Sequence, residues 1–281
     1  MNIQFTKMQG LGNDFIIIDN RQYNLSSQQL QVLAKKICAR RLSIGSDGLM
    51  ALENTDDHTD FRMIFFNSDG SIGEMCGNGA RCIARYAYIK GIAGERMTFD
   101  TTAGIVTGEV IKDRMVGVLL NLPEIIELDK KVSVNQTDYR VSYIELGNPG
   151  LPHVSLEYKG LKDTDNKSLT GIATALRYHD AFPKGANINF YEIEEDLTVT
   201  ARTYERGVED FTLACGTGSA CVALSLYLRK EMEGDLIRVN VPGGSLDIAI
   251  RMNKGNVTQL QLIGDTNIIA EGIVLDEDLV Y

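Results

Sequence analysis

The chain has 281 residues, enough for roughly two domains, and its 44% hydrophobic and 23% charged content excludes a mainly disordered state. With 28 basic against 38 acidic residues the net charge is −10, which argues against nucleic acid or an anionic membrane as partner. No apolar run approaches the roughly 18 residues of a membrane helix, and the first residues carry no signal-peptide pattern, so the cytoplasm is the expected location. Five cysteines, at 38, 76, 82, 215 and 221, are too few for a disulfide framework.

Taken in chain order, IQFTKM (3–8) and DFIIID (14–19) read as strands. SSQQLQVLAKKICAR (26–40) reads as a helix. Leu30, Leu33, Ala34, Ile37 and Cys38 fall on one face, and Ser26 or Ser27 can cap it. DFRMIFF (60–66), RMTFDT (96–101) and IVTGEV (105–110) read as further strands, and NLPEIIELDKK (121–131) as the crossover between halves. DNKSLTGIATALRYH (165–179) reads as a weaker helix because Gly171 interrupts it. The second half then repeats the strand style in INFYEI (188–193), LTVTART (197–203), LIRVNV (236–241), LDIAIRM (246–252) and TQLQLIG (258–264).

Two more helices, GARCIARYAYIKG (79–91) and GSACVALSLYLRKEMEG (218–234), are apolar nearly all round in their first turns, the mark of a helix buried on most sides. Each follows a glycine-rich turn and is flanked by strands. The expected architecture is therefore α+β, two units of many strands around one buried helix each.

The two turns are copies. MCGNGARCIA (75–84) and ACGTGSACVA (214–223) share the pattern x-Cys-Gly-x-Gly-x-x-Cys-x-Ala, and both cysteine pairs are offset by the same 139 residues, about half the chain. This points to an internal duplication. Glycines let backbone approach a ligand. The open N–H groups of a first helical turn bind a carboxylate, and the same helix end favours a thiolate. Two such halves facing one cleft would flank a bound carboxylate with two thiols.

Other uses of these cysteines fit less well. Zinc needs convergent ligands, and cysteines six residues apart lie about 240° apart around a helix. There is no Cys-x-x-Cys, no His-Glu-x-x-His, no Walker loop and no Gly-x-Ser-x-Gly, and GLGNDF (10–15) lacks the third glycine of a dinucleotide fingerprint. No metal and no cofactor are expected. Cys38, Cys82 and Cys221 read as small core residues. A thiol on each face of an amino acid α-carbon has one evident use. One thiolate removes the α-proton, the opposite thiol supplies another, and the centre inverts without a pyridoxal cofactor. Helix N-termini aimed at the carboxylate stabilise the charge that develops there.

At this point NSDGSIGEMCGNGARC (67–82) and TYERGVEDFTLACGTGSA (203–220) closely resemble the two active-site motifs of the diaminopimelate epimerase family. KMQGLGNDFIIID (7–19) resembles its N-terminal strand motif, and FPKGANINF (182–190) its Gly-Thr-Asn-Val segment. The resemblance implies two pseudo-symmetric barrel-like domains, each around a central helix, with the last strand returning to the first domain. The halves would be 1–121 plus 268–281, carrying Cys76, and 122–267, carrying Cys215. It also implies a homodimer acting on a small amino acid substrate.

The same resemblance makes Cys76 and Cys215 the acid/base pair, with Cys215 the acceptor and Cys76 the donor in the L,L-to-meso direction. Gly77 and Asn78, with Gly216 and Thr217, would offer backbone N–H groups to the reacting carboxylate. Asn13 and Glu205 would hold the nearby amino group, and Asn67, Asn148, Asn187 and Arg206 the distal amino acid head. The chain departs from the family pattern in GNPGLPHVSL (147–156), where the histidine that supports catalysis falls three residues late, at His153. Phe211 stands where glutamate is usual, and Gly48 where some members have glutamine. The nearest rival reading is a cofactor-independent racemase of another amino acid, such as histidine or lanthionine. A non-catalytic amino acid-binding relative would have no need of both cysteines.

Overall fold

The computed structural model of the chain describes residues 2–55, 58–73, 76–195 and 197–275. Glu74 and Met75 of the first motif, and 276–281 of the expected returning segment, lie outside them. The chain divides into two units, Met1–Val118 with Gly264–Tyr281, and Leu119–Ile263. The boundaries expected from sequence were 121/122 and 267/268.

The first half runs β1 (Ile3–Gly10), β2 (Asn13–Asp19), α1 (Ser27–Ile37), β3 (Gly48–Glu53), β4 (Phe61–Asn67), α2 (Gly77–Ile89), β5 (Arg96–Thr101), β6 (Gly104–Lys112) and β7 (Met115–Leu119). The second runs β8 (Pro123–Val134), β9 (Thr137–Leu146), β10 (Leu151–Glu157), α3 (Asn166–Arg177), β11 (Asn187–Ile193), β12 (Val199–Glu205), the two-residue β13 (Asp210–Phe211), α4 (Gly216–Leu228), β14 (Leu236–Val241), β15 (Gly244–Asn253) and β16 (Asn256–Asp265). The last strand, β17 (Asn267–Val274), returns to pair with β1.

The duplication read from one motif extends through the topology. In the first unit β1 pairs antiparallel with β2, β2 parallel with β3, β3 antiparallel with β4, β4 parallel with β5 and β5 antiparallel with β6. In the second unit β9, β10, β11, β12, β14 and β15 pair in the same sequence of senses. A parallel pair needs a long crossover, and a helix supplies each one: α1 and α2 in the first unit, α3 and α4 in the second. Even the outer strand is matched, since β17 pairs antiparallel with β1 and β8 with β9.

Parallel strands covered on both faces carry continuous apolar runs, which explains Phe15–Ile18 and Gly48–Leu52, all buried. Alternate residues then serve different helices. Ile16, Ile18, Leu49 and Ala51 form one core with Leu30, Leu33, Ala34 and Ile37 of α1. Phe15 and Met50 point the other way, against Gly79 of α2. In the second unit Val154, Leu156, Ile188 and Phe190 pack on Leu169, Ala173 and Leu176 of α3. Gly171 lies on an open side of α3, with nothing near its would-be side chain, so the helix runs through it.

Several sequence expectations are corrected. Residues 121–131 do not form a crossover. Most of the stretch belongs to β8, whose first half is exposed and lacks the alternation that marks a half-buried strand; alternation appears only toward Val132 and Val134. Strands β3, β7, β9, β10 and β17 carry no clean period-two pattern either. The helix expected over 26–40 ends at Ile37, and that over 218–234 ends at Leu228, where Lys230 takes a positive φ of 59°.

Candidate active site

The four helices begin in two ways. Ser26 caps α1 through a reciprocal box with Gln29, and the Asp165 side chain accepts from Ser168 N–H at 2.7 Å at the start of α3. Helices α2 and α4 instead begin after Cys76 and Cys215, neither of which caps its helix through the side chain. The first intrahelical bonds are Ala80 N–H to Cys76 O and Ser219 N–H to Cys215 O. The amides of Gly77, Asn78 and Gly79, and of Gly216, Thr217 and Gly218, therefore have no intrahelical acceptor. They give each cysteine a locally positive neighbour suited to an anion.

In the first unit the Cys76 thiol donates to Asn13 Oδ1 at 3.3 Å, and Asn13 Nδ2 donates to Asp47 Oδ2 at 2.6 Å. Asp47 and Asp14 accept each other's backbone N–H at 3.0 Å, and Arg40 donates to both carboxylates. Burial pushes the Asp14 carboxyl up, but hydrogen bonds and charge from Arg40 and Lys7 outweigh it and hold it below the usual range. Asn13 is thereby fixed in place by a charged network that is silent in the motif itself. Asn78 is buried, and its Oδ1 accepts from Arg81 Nη2 at 2.8 Å.

In the second unit Cys215 is 8% exposed, and its Sγ lies 3.6 Å from Thr217 Oγ1. Burial pushes the Glu205 carboxyl up, and hydrogen bonds from Thr212 and from the Cys215 thiol offset part of that. The strand face above α4 is polar. A Cβ on Gly218 would fall 2.3 Å from Asn189 Oδ1, 2.8 Å from Thr203 Oγ1 and 3.2 Å from Cys215 Sγ. Only glycine lets the helix start approach that closely.

The expected distal set is partly assembled. Asn187 is buried and accepts from Arg206 N–H at 2.8 Å, while its own amide donates to Pro152 O at 3.3 Å. Arg206 Nη1 donates to Lys184 O at 3.0 Å. Lys184 in turn pairs with the buried Glu145 carboxylate at 2.8 Å. Asn148 is exposed, in the turn after β9 and ahead of a cis Pro149. Asn67 belongs to the first unit, at the end of β4, where its Nδ2 donates to Ser71 Oγ at 3.0 Å.

The diaminopimelate epimerase family model matches this chain over residues 5–121 and 148–267. The diaminopimelate epimerase of Aquifex aeolicus is 36% identical, over 99% of this chain and 100% of that protein. That of Archaeoglobus fulgidus is 34% identical, over 100% and 99%. This chain belongs to the diaminopimelate epimerase family. The fold is also that of a phenazine biosynthesis protein of the PhzF family from Bacillus anthracis, with a TM-score of 0.73 at 15% identity over 98% of this chain and 99% of the other. A probable proline racemase from Agrobacterium radiobacter, with bound carbonate, gives a TM-score of 0.67 at 15% identity over 98% and 93%.

Against the diaminopimelate epimerase family pattern, the displaced histidine lies on β10 beside Asn187 of β11, their Cα atoms in register. His153 is fully buried, and Asn189 Nδ2 lies 3.4 Å from its Nδ1. Burial, with the nearby Arg206 charge, pushes it down to about 3, and the Asn189 contact offsets only part of this, so the ring is neutral at working pH. Phe211 faces the core, with ring centroids 5.5 Å from Tyr204 and 6.0 Å from Phe190. Its apolar bulk is thus absorbed by packing. Gly48 is demanded by space, because a Cβ there would sit 2.4 Å from the Phe65 ring and 2.6 Å from Phe66 O.

Asp47, Thr212, Asn189 and Arg81 also build these helix starts. Their positions are set by long-range register and carry no local signature. Arg81 is the exception, because a lone arginine inside an otherwise apolar repeat is visible beside Ala220 of the second copy.

Proposed function

We propose that this protein interconverts L,L- and meso-diaminopimelate without a pyridoxal cofactor, as an isomerase of lysine and cell-wall precursor synthesis. The observation that carries this is membership of the diaminopimelate epimerase family over nearly the whole chain, joined to two copies of one cysteine motif at two uncapped helix starts.

In the L,L-to-meso direction the Cys215 thiolate takes the α-proton and the Cys76 thiol donates one to the opposite face. The charge that develops on the carboxylate is met by N–H groups of Gly77, Asn78, Gly216 and Thr217. Asn13 and Glu205 hold the adjacent amino group. Asn67, Asn148, Asn187 and Arg206 hold the distal head, with Arg206 gripping its carboxylate. His153, neutral and buried, supports this site by hydrogen bonding rather than by charge. The working form is a cytoplasmic homodimer.

The test is proton NMR of the reduced protein in D2O with L,L-diaminopimelate, and with histidine, glutamate and lanthionine in parallel. Loss of the α-proton signal with formation of the meso isomer, in the diaminopimelate sample alone, is the expected result. Exchange confined to another sample would move the protein to a different substrate. Turnover by a Cys76→Ala, Cys215→Ala double variant would sink the two-thiol mechanism.

A further inference from the structure

Arg81 is fully buried, one and a half turns into α2. Its Nη2 donates to Asn78 Oδ1 and its Nη1 to Gly77 O at 3.4 Å, so the guanidinium lies beneath the helix start that follows Cys76. Its Nε has no hydrogen-bond partner. No carboxylate among the described residues pairs with it. The carboxylate whose charge acts on it is that of Asp265, which is held by Arg114. Burial weakens the charged form, but a guanidinium does not lose its proton in a protein. A buried cation without an anion is costly. Being wholly enclosed, this one reaches no ligand directly, and its charge acts through the first turn of α2.

We propose that Arg81 is a positioning residue for Cys76: once the thiol gives up the proton it shares with Asn13 Oδ1, the enclosed charge favours the thiolate that remains, so Cys76 ionises before Cys215. The second copy of the motif supplies the contrast. Ala220 occupies the position matching Arg81, and the group beside Cys215 is the Glu205 carboxylate, which accepts from the thiol. One helix start has a cation at its back, the other a carboxylate at its side.

Among the described residues, Asn13 of β2 accepts from Cys76, and the charges of Arg81 and Cys82 of α2 act on it. Behind these lie Asp47, bonded to Asn13, with Asp14, Lys7 of β1 and Arg40 around it, and Arg85 of α2 and Asp265 of β16, which act on Cys82. Asp14 and Asp47 are matched by Lys7 and Arg40, and Asp265 by Arg114, which among the described residues leaves the arginines of α2 without a carboxylate of their own. Turnover alternates the two forms. The form with Cys76 as thiolate accepts the α-proton of the meso isomer while Cys215 donates. Afterwards Cys76 is the thiol and Cys215 the thiolate.

The experiment is the pH dependence of iodoacetamide alkylation, read at Cys76 in a Cys215→Ser protein and at Cys215 in a Cys76→Ser protein. The other cysteines do not interfere. Burial pushes the Cys38 thiol up to about 11, the Cys82 thiol up to about 12, and the Cys221 thiol well above its ordinary range. Cys76 is expected to react with a midpoint at least about one pH unit below that of Cys215. Arg81→Met should slow Cys76 alkylation at neutral pH about tenfold, and Arg81→Lys should restore most of it.

A Cys76 midpoint at or above that of Cys215 overturns the proposal in the unaltered helix, whether or not Arg81→Met folds. So does an Arg81→Met protein with unchanged Cys76 titration, or an Arg81→Lys protein that titrates like Arg81→Met, which would mark a scaffold role. The proposal concerns the same two thiols as the proposed epimerisation, but the titration needs no turnover. Ordinary thiols in a fully active epimerase would reject only the role of Arg81, and a low Cys76 midpoint in a protein that turns over no diaminopimelate would reject only the substrate.

Discussion

The starts of α2 and α4 share a motif, an uncapped first turn and the same place in the order of strands, yet their surroundings are opposite. At α2 an amide and a guanidinium ride on the helix, in Asn78 and Arg81, while the strands bring Asn13 to the thiol and turn apolar Phe15 and Met50 toward Gly79. At α4 the first turns carry only the hydroxyls of Thr217 and Ser219, and the amide and the carboxylate come from the strands, in Asn189 and Glu205, with Thr203 beside them. A duplicated frame has kept the feature both halves need, an open helix start beside a thiol. The charge around that thiol has been free to diverge, because neighbours at non-helical spacing do not disturb the backbone pattern.

The largest effects should come from the thiols themselves. Cys76→Ala and Cys215→Ala are each expected to lower kcat by about 10³-fold or more in the NMR assay, since each removes one of the two proposed proton carriers. Nearly full activity in either variant would break the proposed equivalence of the two halves.

Glu205→Gln separates activity from stability. It should lower kcat/KM by about 10²-fold. Burial holds the folded carboxyl above its unfolded range. The ionised form is therefore a stability cost above that pH, and the cost fades as pH falls through the raised value. Glu205→Gln should accordingly melt higher than the parent near pH 8, with the gain vanishing near pH 4. A gain that grew on acidification would contradict this sign.

The matched glycines sharpen the comparison sterically. Gly218→Ala drives a methyl into Asn189 Oδ1 and Thr203 Oγ1, atoms fixed by their own hydrogen bond of 2.9 Å, and should cost about 1–3 kcal/mol. Gly79→Ala meets the flexible tip of Met50, 2.0 Å from the new Cβ, and should cost less because that tip can rotate away. Denaturant titration of both variants decides it, and equal losses would show that Met50 cannot yield.

The last effect is read as a slope. With His153 pushed down to about 3 in the folded state, the unfolded chain alone takes up its proton between that value and roughly 6.5, and stability falls as pH drops through this window. His153→Asn should flatten the dependence of unfolding free energy on pH there, whatever it does to stability at neutral pH. An unchanged slope would mean that His153 titrates normally.

Much of this molecule was open to sequence reading because the informative pattern was local. Cys-Gly-x-Gly with a second cysteine six residues on names a helix start, a thiol and a duplication within ten residues, and the amphipathic α1 and the strands β5, β6 and β14 follow from periodicity alone. Other parts were hidden for physical reasons. Strand β8 is mostly exposed over its first half, and its buried face emerges only toward Val132 and Val134, so the stretch read from sequence showed no clear period. Strand β10 alternates two kinds of buried residue, Val154 and Leu156 toward α3 and the polar His153 and Ser155 on the other face, which reads as mixed rather than as a strand.

The sequence alone determined the two thiols, the open amides beside them and the strand-rich duplicated frame, because backbone conformation and helix-start chemistry depend on neighbours a few residues away. Only the tertiary structure decided what charge each thiol meets. Asp47 behind Asn13, Glu205 beside Cys215, Arg81 enclosed without a carboxylate and His153 stripped of water are set by strand register and burial. Desolvation, and the distance between residues far apart in the chain, fix those energies, and neither is written in any single segment.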